Sequence, residues 1–120
     1  MLTAAPTWLL VALGGAVGTC ARYALSLFVL GRGWPSAIGT GVVNVAGCFF
    51  IGLLYAKSED PLLRRVLGVG LLGGFTTFSS FGRETLELVR ADRLDLALGS
   101  VAVNLLLGLA GVWLGQRVGA

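Results

Sequence analysis

The fold is decided by a stretch in the middle of the chain that reads Gly70-Leu71-Leu72-Gly73-Gly74-Phe75-Thr76-Thr77-Phe78-Ser79-Ser80-Phe81. It lies inside an uncharged run from Val66 to Gly82, which is long enough to sit at membrane depth. Its composition is nevertheless that of a loop, because three glycines are followed by four hydroxyl side chains placed between three aromatic ones. Non-helical backbone at membrane depth is tolerated only where protein buries it or a polar cavity meets it. We therefore expect a broken helix here, with the rest of the protein organised around the break.

The composition of the chain is that of an integral membrane protein. Its 120 residues are 56% apolar and 12% charged, and the mean hydropathy is +0.87, whereas soluble domains carry about 25% charged residues. This length allows about four spans of roughly 20 residues and no additional soluble domain. We predict an all-α membrane protein whose third helix is broken near mid-membrane. It forms a single four-helix transmembrane domain with spans at about 7–30, 36–56, 62–90 and 96–116.

The charged residues argue against several classes of function. The nine basic residues fall at span ends and in loops instead of clustering, so we expect contact with the lipid bilayer and no binding of nucleic acid. The six acidic residues also lie near loops or span ends, so the buried carboxylate of a proton-coupled exporter is missing. The chain has no histidine, and neither of its two cysteines has an evident activating base, so we do not expect an enzyme.

Positive charge is divided almost evenly between the two sides of the predicted membrane. Four basic residues fall on the side of the termini and five on the opposite side. Such a balance gives no preferred orientation under the positive-inside rule, which predicts insertion both ways round and an antiparallel homodimer. The alternative is that counting charges in short loops is simply noisy. The two groups are Lys57, Arg64, Arg65 and Arg117, and Arg22, Arg32, Arg83, Arg90 and Arg93.

Uncharged hydrogen-bond donors are the remaining candidates for chemistry inside the membrane. Amide groups, hydroxyls and the electropositive edges of phenyl rings can together replace the water around a small anion without holding it tightly. Each residue also has a structural interpretation, because membrane asparagines often bond a neighbouring helix and spaced phenylalanines often only pack. Freed carbonyls at the break can in addition hold a small cation between two antiparallel copies. The candidate donors are Asn44, Asn104, Thr40, Thr76, Thr77, Ser79, Ser80, Phe75, Phe78 and Phe81.

Several of these residues form motifs that resemble a known family. The second span contains Gly39-Thr40, Asn44 and Gly47, and the third contains Gly73-Gly74-Phe75-Thr76-Thr77-Phe78-Ser79-Ser80-Phe81. With Arg22 before them and Glu84 after them, they resemble the Fluc (CrcB-like) family of fluoride channels, and the resemblance extends over nearly all of the chain.

The resemblance implies a multi-pass protein of the cell inner (plasma) membrane that passively exports fluoride from the cytoplasm. It implies a dual-topology homodimer with two antiparallel pores and one structural sodium ion at the dimer interface. The residues implied for the fluoride pathway are Asn44, Phe78, Phe81, Thr40, Ser79, Ser80 and Asn104. Gly73 and Thr76 would offer backbone carbonyls to sodium, which places the broken backbone at Gly73 to Thr76. Arg22 and Glu84 are expected to be vestibule or structural residues.

Two other functions are compatible with a chain of this size and span count. A small dual-topology multidrug exporter would require an acidic residue inside the first span, and that span has none. A membrane scaffold without transport activity is the second alternative.

Overall fold

The chain folds into helices joined by short connections. The computed structural model describes the backbone of residues 4–120 and the side chains from Pro6 onward. The helices are α1 (Ala4–Gly31), α2 (Ser36–Lys57), α3 (61–75), α4 (Phe78–Arg90) and α5 (Leu94–Gly119). Residues 4–120 contain no β-strand, which confirms the predicted all-α class. The helices run a few residues past the predicted spans, because helical hydrogen bonding continues beyond the apolar part of each segment.

Within residues 4–120, three helices are long and apolar enough to cross a membrane. They are α1 from Pro6 onward, α2 and α5. The third predicted span is divided into α3 and α4, and each piece is shorter than the roughly 20 residues that a straight crossing needs. The discontinuity lies at Thr76 and Thr77, within the stretch where the sequence predicted it.

The broken backbone is narrower than expected from the glycines. Gly73 lies at φ −63° and ψ −37°, and Gly73–Phe75 forms the last helical turn of α3. The expectation that the break begins at Gly73 is therefore wrong. Gly74 serves close packing instead, since a Cβ there would lie 2.5 Å from the carbonyl oxygen of Gly15 on α1.

The helices pack as two parallel pairs. α1 lies along α3, and α2 lies along α5. A Cβ at Gly14 would come within 2.8 Å of the carbonyl oxygen of Val66, and one at Gly115 would overlap the carbonyl oxygen of Phe49. Small residues at such positions let helix backbones approach in a membrane, where packing replaces the hydrophobic drive. The two helices of each pair therefore contact each other backbone to backbone, and these contacts fix their register along their length.

A short polar loop sets the start of α3. The Asp60 carboxylate accepts a hydrogen bond from the backbone N–H of Leu62 at 2.9 Å. Arg64 Nε donates to the carbonyl of Ser58 at 2.7 Å, and its Nη2 donates to the carbonyl of Tyr55 at 3.0 Å. Arg64 thus satisfies carbonyls at the end of α2 and ties the two helices together.

Two helices near the break contain wide π-helical turns, which the sequence did not predict. One is Arg64–Leu72 in α3, and the other is Val103–Leu107 in α5. Such turns are rare and are often found at functional sites. The second contains Asn104, one of the residues predicted for the anion pathway.

Candidate functional site

The break contains one extended dipeptide, in which the N–H of Thr76 still donates to the carbonyl of Leu72 in α3 at 3.0 Å, whereas Thr77 needs hydrogen-bond partners outside its own helix. Thr76 has φ −90° and ψ 158°, and Thr77 has φ −153° and ψ 113°. Asn44 of α2 supplies the partners. Its Oδ1 accepts from the N–H of Thr77 at 2.8 Å, and its Nδ2 donates to the carbonyl of Thr77 at 3.0 Å. The side-chain amide therefore pairs with both backbone groups of one residue, as a neighbouring strand would.

Asn104 of α5 completes the hydrogen bonding of Asn44. Asn44 Nδ2 donates its second hydrogen bond to Asn104 Oδ1 at 2.7 Å. Asn104 Nδ2 donates in turn to the carbonyl of Ser100 at 2.8 Å and lies 3.4 Å from the Ser100 hydroxyl. The two asparagines predicted for the pathway are thus in direct contact, and both N–H groups of Asn44 are engaged within the protein. Ser100 was not predicted, although its position four residues before Asn104 places it on the same helix face.

The hydroxyl groups beside the break belong to the start of α4. Thr77 Oγ1 accepts from the backbone N–H of Ser80 at 3.2 Å, which makes Thr77 the N-cap of the helix. The same oxygen lies 3.2 Å from the hydroxyl of Ser79 and 3.2 Å from that of Ser80. Ser79 is exposed and Ser80 is half-buried. The sequence predicted the two serines as polar residues of the pathway, and a threonine three residues before Ser80 was the signal for the cap.

The two phenylalanines predicted to line the pore are in contact with each other. Their ring centroids lie 5.4 Å apart at an interplanar angle of 64°, which is an edge-to-face arrangement. Phe81 is only 6% exposed, whereas Phe78 is 75% exposed. Phe81 is thus part of the folded chain, while Phe78 presents its ring at the surface of the single chain.

A cavity of about 290 Å³ lies beside the break and brings these residues together. Its polar and aromatic lining comes from α2, the break, α4 and α5, and glycines and apolar side chains of α2, α3 and α5 line the rest. The side chains that carry the predicted anion chemistry there are Asn44, Asn104, Thr76, Thr77, Phe78 and Phe81. A second and larger cavity of about 830 Å³ lies between α2 and α5 and is lined almost entirely by apolar side chains, with Ser100 and Asn104 as its polar members.

Thr40 and Glu84 form a separate buried pair. Thr40 Oγ1 donates to Glu84 Oε1 at 2.8 Å, and the two residues are 7% and 5% exposed. Neither residue lines the 290 Å³ cavity. Among the described residues, Glu84 Oε2 is buried without a hydrogen-bond partner, and Arg83 Nη2 is 3.7 Å from Oε1. Thr40, which the resemblance implied for the fluoride pathway, is therefore bound to the acid of α4 instead of facing the cavity.

Arg22 satisfies the end of α3. Its Nε donates to the carbonyl of Gly74 at 3.1 Å, and the hydroxyl of Thr19 lies 3.5 Å from the same oxygen. A cation at the C-terminal end of a helix is favoured by the helix dipole. In residues 4–120, by contrast, none of the hydrogen bonds around the break reaches the carbonyl oxygens of Gly73 or Thr76.

Residues 9–116 match the family described as "CrcB-like protein, Camphor Resistance (CrcB)". The chain belongs to this CrcB-like family. A curated relative from Shewanella sp. (strain W3-18-1), named "Fluoride-specific ion channel FluC", is 46% identical over 117 residues, which cover 92% of this chain and 93% of the relative. A relative of the same name from Methylobacillus flagellatus is 44% identical over 114 residues, with 89% of each chain covered.

The family assignment bears on two predictions. The resemblance to the CrcB-like family, seen in the motifs of the second and third spans, is confirmed. The curated relatives of this CrcB-like chain are named as ion channels, which confirms the prediction that it is not an enzyme. The channel names and the apolar helices also agree with the prediction of a membrane protein.

Proposed function

We propose that this chain forms a fluoride-selective channel that passively exports fluoride from the cytoplasm across the inner (plasma) membrane and so relieves fluoride toxicity. The observation that carries the proposal is the cavity beside the break, where the amides of Asn44 and Asn104 meet the rings of Phe78 and Phe81. The names of the curated relatives support fluoride as the ion.

The donors around this cavity suit a small anion that must also leave. Asn44 offers N–H groups, and the edges of Phe78 and Phe81 carry partial positive charge. Among the residues that the structure describes, neither Lys nor Arg lines the cavity, so the ion would meet several weak donors in place of one strong charge, and this favours rapid release. Ser79 and Ser80 at the start of α4 would extend the polar path beyond the cavity, and so would Thr40, one turn before Asn44 in α2 and outside the cavity.

The direction of transport follows from acid–base chemistry and the membrane potential. Fluoride enters cells from acidic surroundings as neutral HF, dissociates at the higher internal pH and becomes trapped as the anion. A passive pore returns the anion outward, because the interior of the cell is electrically negative. No coupled ion or buried carboxylate in the cavity is required for this direction.

The working unit in this proposal is an antiparallel homodimer with two pores. Phe78 is 75% exposed in the single chain, although it lines the cavity together with buried Phe81. A second copy would cover this ring and close the open side of the cavity. The even division of positive charge supports insertion in both orientations, and each copy would then contribute one pore.

Sodium at the centre of the dimer fits the free carbonyls at the end of α3. Gly73 and Thr76 present backbone oxygens that take no part in the hydrogen bonds around the break, and Gly73 is exposed in the single chain. Carbonyl oxygens of broken membrane helices are suitable ligands for sodium. When bound, the ion would neutralise these oxygens and join the two copies. Replacing sodium by a large organic cation should therefore lower the thermal stability of the dimer, and an unchanged melting temperature would count against a structural ion.

Efflux of fluoride from reconstituted liposomes tests the central claim. Vesicles loaded with potassium fluoride should release fluoride through the protein, whereas vesicles loaded with chloride should retain it. Release no faster than from protein-free vesicles would refute the channel and leave the scaffold as the remaining function. Release that requires an opposing proton gradient would instead favour a coupled exporter.

Labelling of a cysteine tests the dual topology. A cysteine placed in the loop between α2 and α3, with Cys20 and Cys48 replaced, should react with an impermeant reagent from both sides of native vesicles. Labelling from one side only would contradict insertion in both orientations.

A further inference from the structure

Asn104 occupies an unusual place between the two cavities. It lines the cavity of about 290 Å³ at the break and also the larger one of about 830 Å³ between α2 and α5. Its side chain therefore forms part of the wall that separates them. It also lies in the π-helical turn Val103–Leu107, where the regular hydrogen-bond ladder of the helix is interrupted.

The directions of the two amides are fixed by backbone groups at the ends of the hydrogen-bond chain. The N–H of Thr77 requires an oxygen, and its carbonyl requires a donor, so Asn44 has one possible orientation. The second N–H of Asn44 then faces Asn104 and requires an acceptor there. The carbonyl of Ser100 meanwhile requires a donor from Asn104. Both requirements place Oδ1 of Asn104 toward Asn44.

An anion cannot use an N–H group of Asn44 in this arrangement without displacing an acceptor. One N–H bonds the carbonyl of Thr77 at 3.0 Å, and that bond closes a pair with the backbone of the break. The other bonds Oδ1 of Asn104 at 2.7 Å. This second acceptor belongs to a side chain, and it can therefore leave without disturbing the break.

We propose that the carboxamide oxygen of Asn104 is an internal competitor for the anion, which must displace it from the Asn44 N–H in order to bind. The inference rests on the proposed function, since it assigns a role at the anion site of that channel. Asn104 acts as a positioning residue that sets the affinity for the anion. When no anion is bound, its oxygen accepts the hydrogen bond from the Asn44 N–H. An incoming anion must break this hydrogen bond, so it is held less tightly than by a free N–H. On displacement, the side chain turns into the larger cavity, where the Ser100 hydroxyl can keep one hydrogen bond to it.

Substitution of Asn104 separates this role from that of a direct ligand. In Asn104→Ala, the competing acceptor is gone, so the fluoride concentration for half-maximal flux should fall about two- to tenfold, the range that one neutral hydrogen bond supplies. In Asn104→Asp, a charged acceptor remains and holds the N–H more strongly, so half-maximal flux should require more than about tenfold higher fluoride. The matched control is Leu106→Ala in the same turn, whose side chain is 67% exposed. It should leave the half-saturation concentration unchanged.

The opposite result in the alanine variant would overturn the proposal. If Asn104 bound the anion directly, its loss would raise the fluoride concentration for half-maximal flux. An unchanged value would also contradict the competition, because a residue of purely structural importance would alter stability or maximal flux without lowering this concentration.

Side-chain nitrogen NMR provides a second test on the unmodified protein and so does not depend on folding of the variants. Titration with sodium fluoride should shift the side-chain amide resonances of Asn44 and Asn104 together, with the same midpoint. A shift of Asn44 alone would show that Asn104 does not move. Failure of the proposed function would look different, since the wild-type protein would then show no fluoride flux and neither resonance would respond.

Discussion

The close contact between Gly47 and the break gives a prediction whose size follows from the structure. A Cβ at Gly47 would overlap Cγ2 of Thr76 and lie 3.8 Å from Cδ2 of Phe75. Thr76 can move its methyl group away only by rotating, which would break the hydrogen bond from its Oγ1 to the carbonyl of Leu72 at 2.9 Å. That hydrogen bond is worth about 1 kcal/mol. The other route moves α2 away from the break and strains the pairing of Asn44 with the backbone.

Gly47→Ala should therefore lower the free energy of unfolding by about 1–3 kcal/mol, the usual cost of overpacking, and should also reduce fluoride efflux. Thr76→Ser removes the methyl group and keeps the hydroxyl, so by itself it should cost less than about 1 kcal/mol. In the double variant, the Cβ at position 47 has room, and we expect at least half of the stability lost in Gly47→Ala to return.

Thermal unfolding in detergent measures the four members of this cycle, and liposome efflux follows the activity in parallel. The control is Gly82→Ala in α4, where no atom of the described part of the chain lies within 4 Å of an added Cβ and where alanine should be neutral or stabilising because it favours a helix. A Gly47→Ala protein as stable as wild type would refute the steric reasoning. Additive losses in the double variant would show that Thr76 is not the residue that resists the new methyl group.

Three further predictions follow from the environments of individual side chains. Phe78→Ile should lower fluoride efflux but leave the melting temperature of the dissociated single chain almost unchanged, because the ring is exposed there. Phe81→Ile should lower both, because its ring is buried within the chain, and equal melting temperatures of the two dissociated variants would contradict the difference in burial. Glu84→Gln keeps an acceptor for the Thr40 hydroxyl and removes a buried charge, so its free energy of unfolding should stay within about 1 kcal/mol of wild type. Glu84→Ala leaves that hydroxyl unpaired and should lower the free energy of unfolding by about 1–3 kcal/mol. A glutamine variant less stable than the alanine variant would refute the pairing. Arg22→Gln should lose about 1–2 kcal/mol because a charged donor is removed from the end of α3, and Arg22→Lys should recover part of that loss when both are compared by thermal unfolding.

Local composition predicted that the third helix is broken, but not which residues leave the helix. Three glycines suggested that the backbone opens at Gly73, yet Gly73–Phe75 is helical and Thr76 with Thr77 is extended. The deciding contact comes from Asn44, which lies 33 residues earlier in the chain and pairs with both backbone groups of Thr77. A hydrogen bond to a residue so far away in the sequence cannot be predicted from the local composition of the stretch itself.

The sequence predicted most residues of the candidate site but not the hydrogen bonds that join them. Mid-span amides are costly in lipid, so Asn44 and Asn104 stood out as residues that need partners. Their contact with each other depends on the parallel packing of α2 and α5, which sets their heights. Ser100 was missed because a serine in an apolar helix satisfies itself locally and raises no conflict with the membrane. Thr40 was predicted for the same pathway as Asn44, and its actual partner, Glu84, depends on where α4 begins after the break.

In the proposed channel, the arrangement of hydrogen bonds lets an anion site form at a broken helix without a fixed cation in its wall. Two helix ends meet at the break, and the dipoles give the end of α3 partial negative charge and the start of α4 partial positive charge. Arg22 lies at the negative end, where it satisfies the carbonyl of Gly74. The cavity meets both ends, since Leu72 and Gly73 of α3 line it together with Thr77 and Phe78. In the proposed channel, Arg22 thus offsets the partial negative charge at the end of α3 that would repel an anion, and it does so without lining the cavity that the anion would enter.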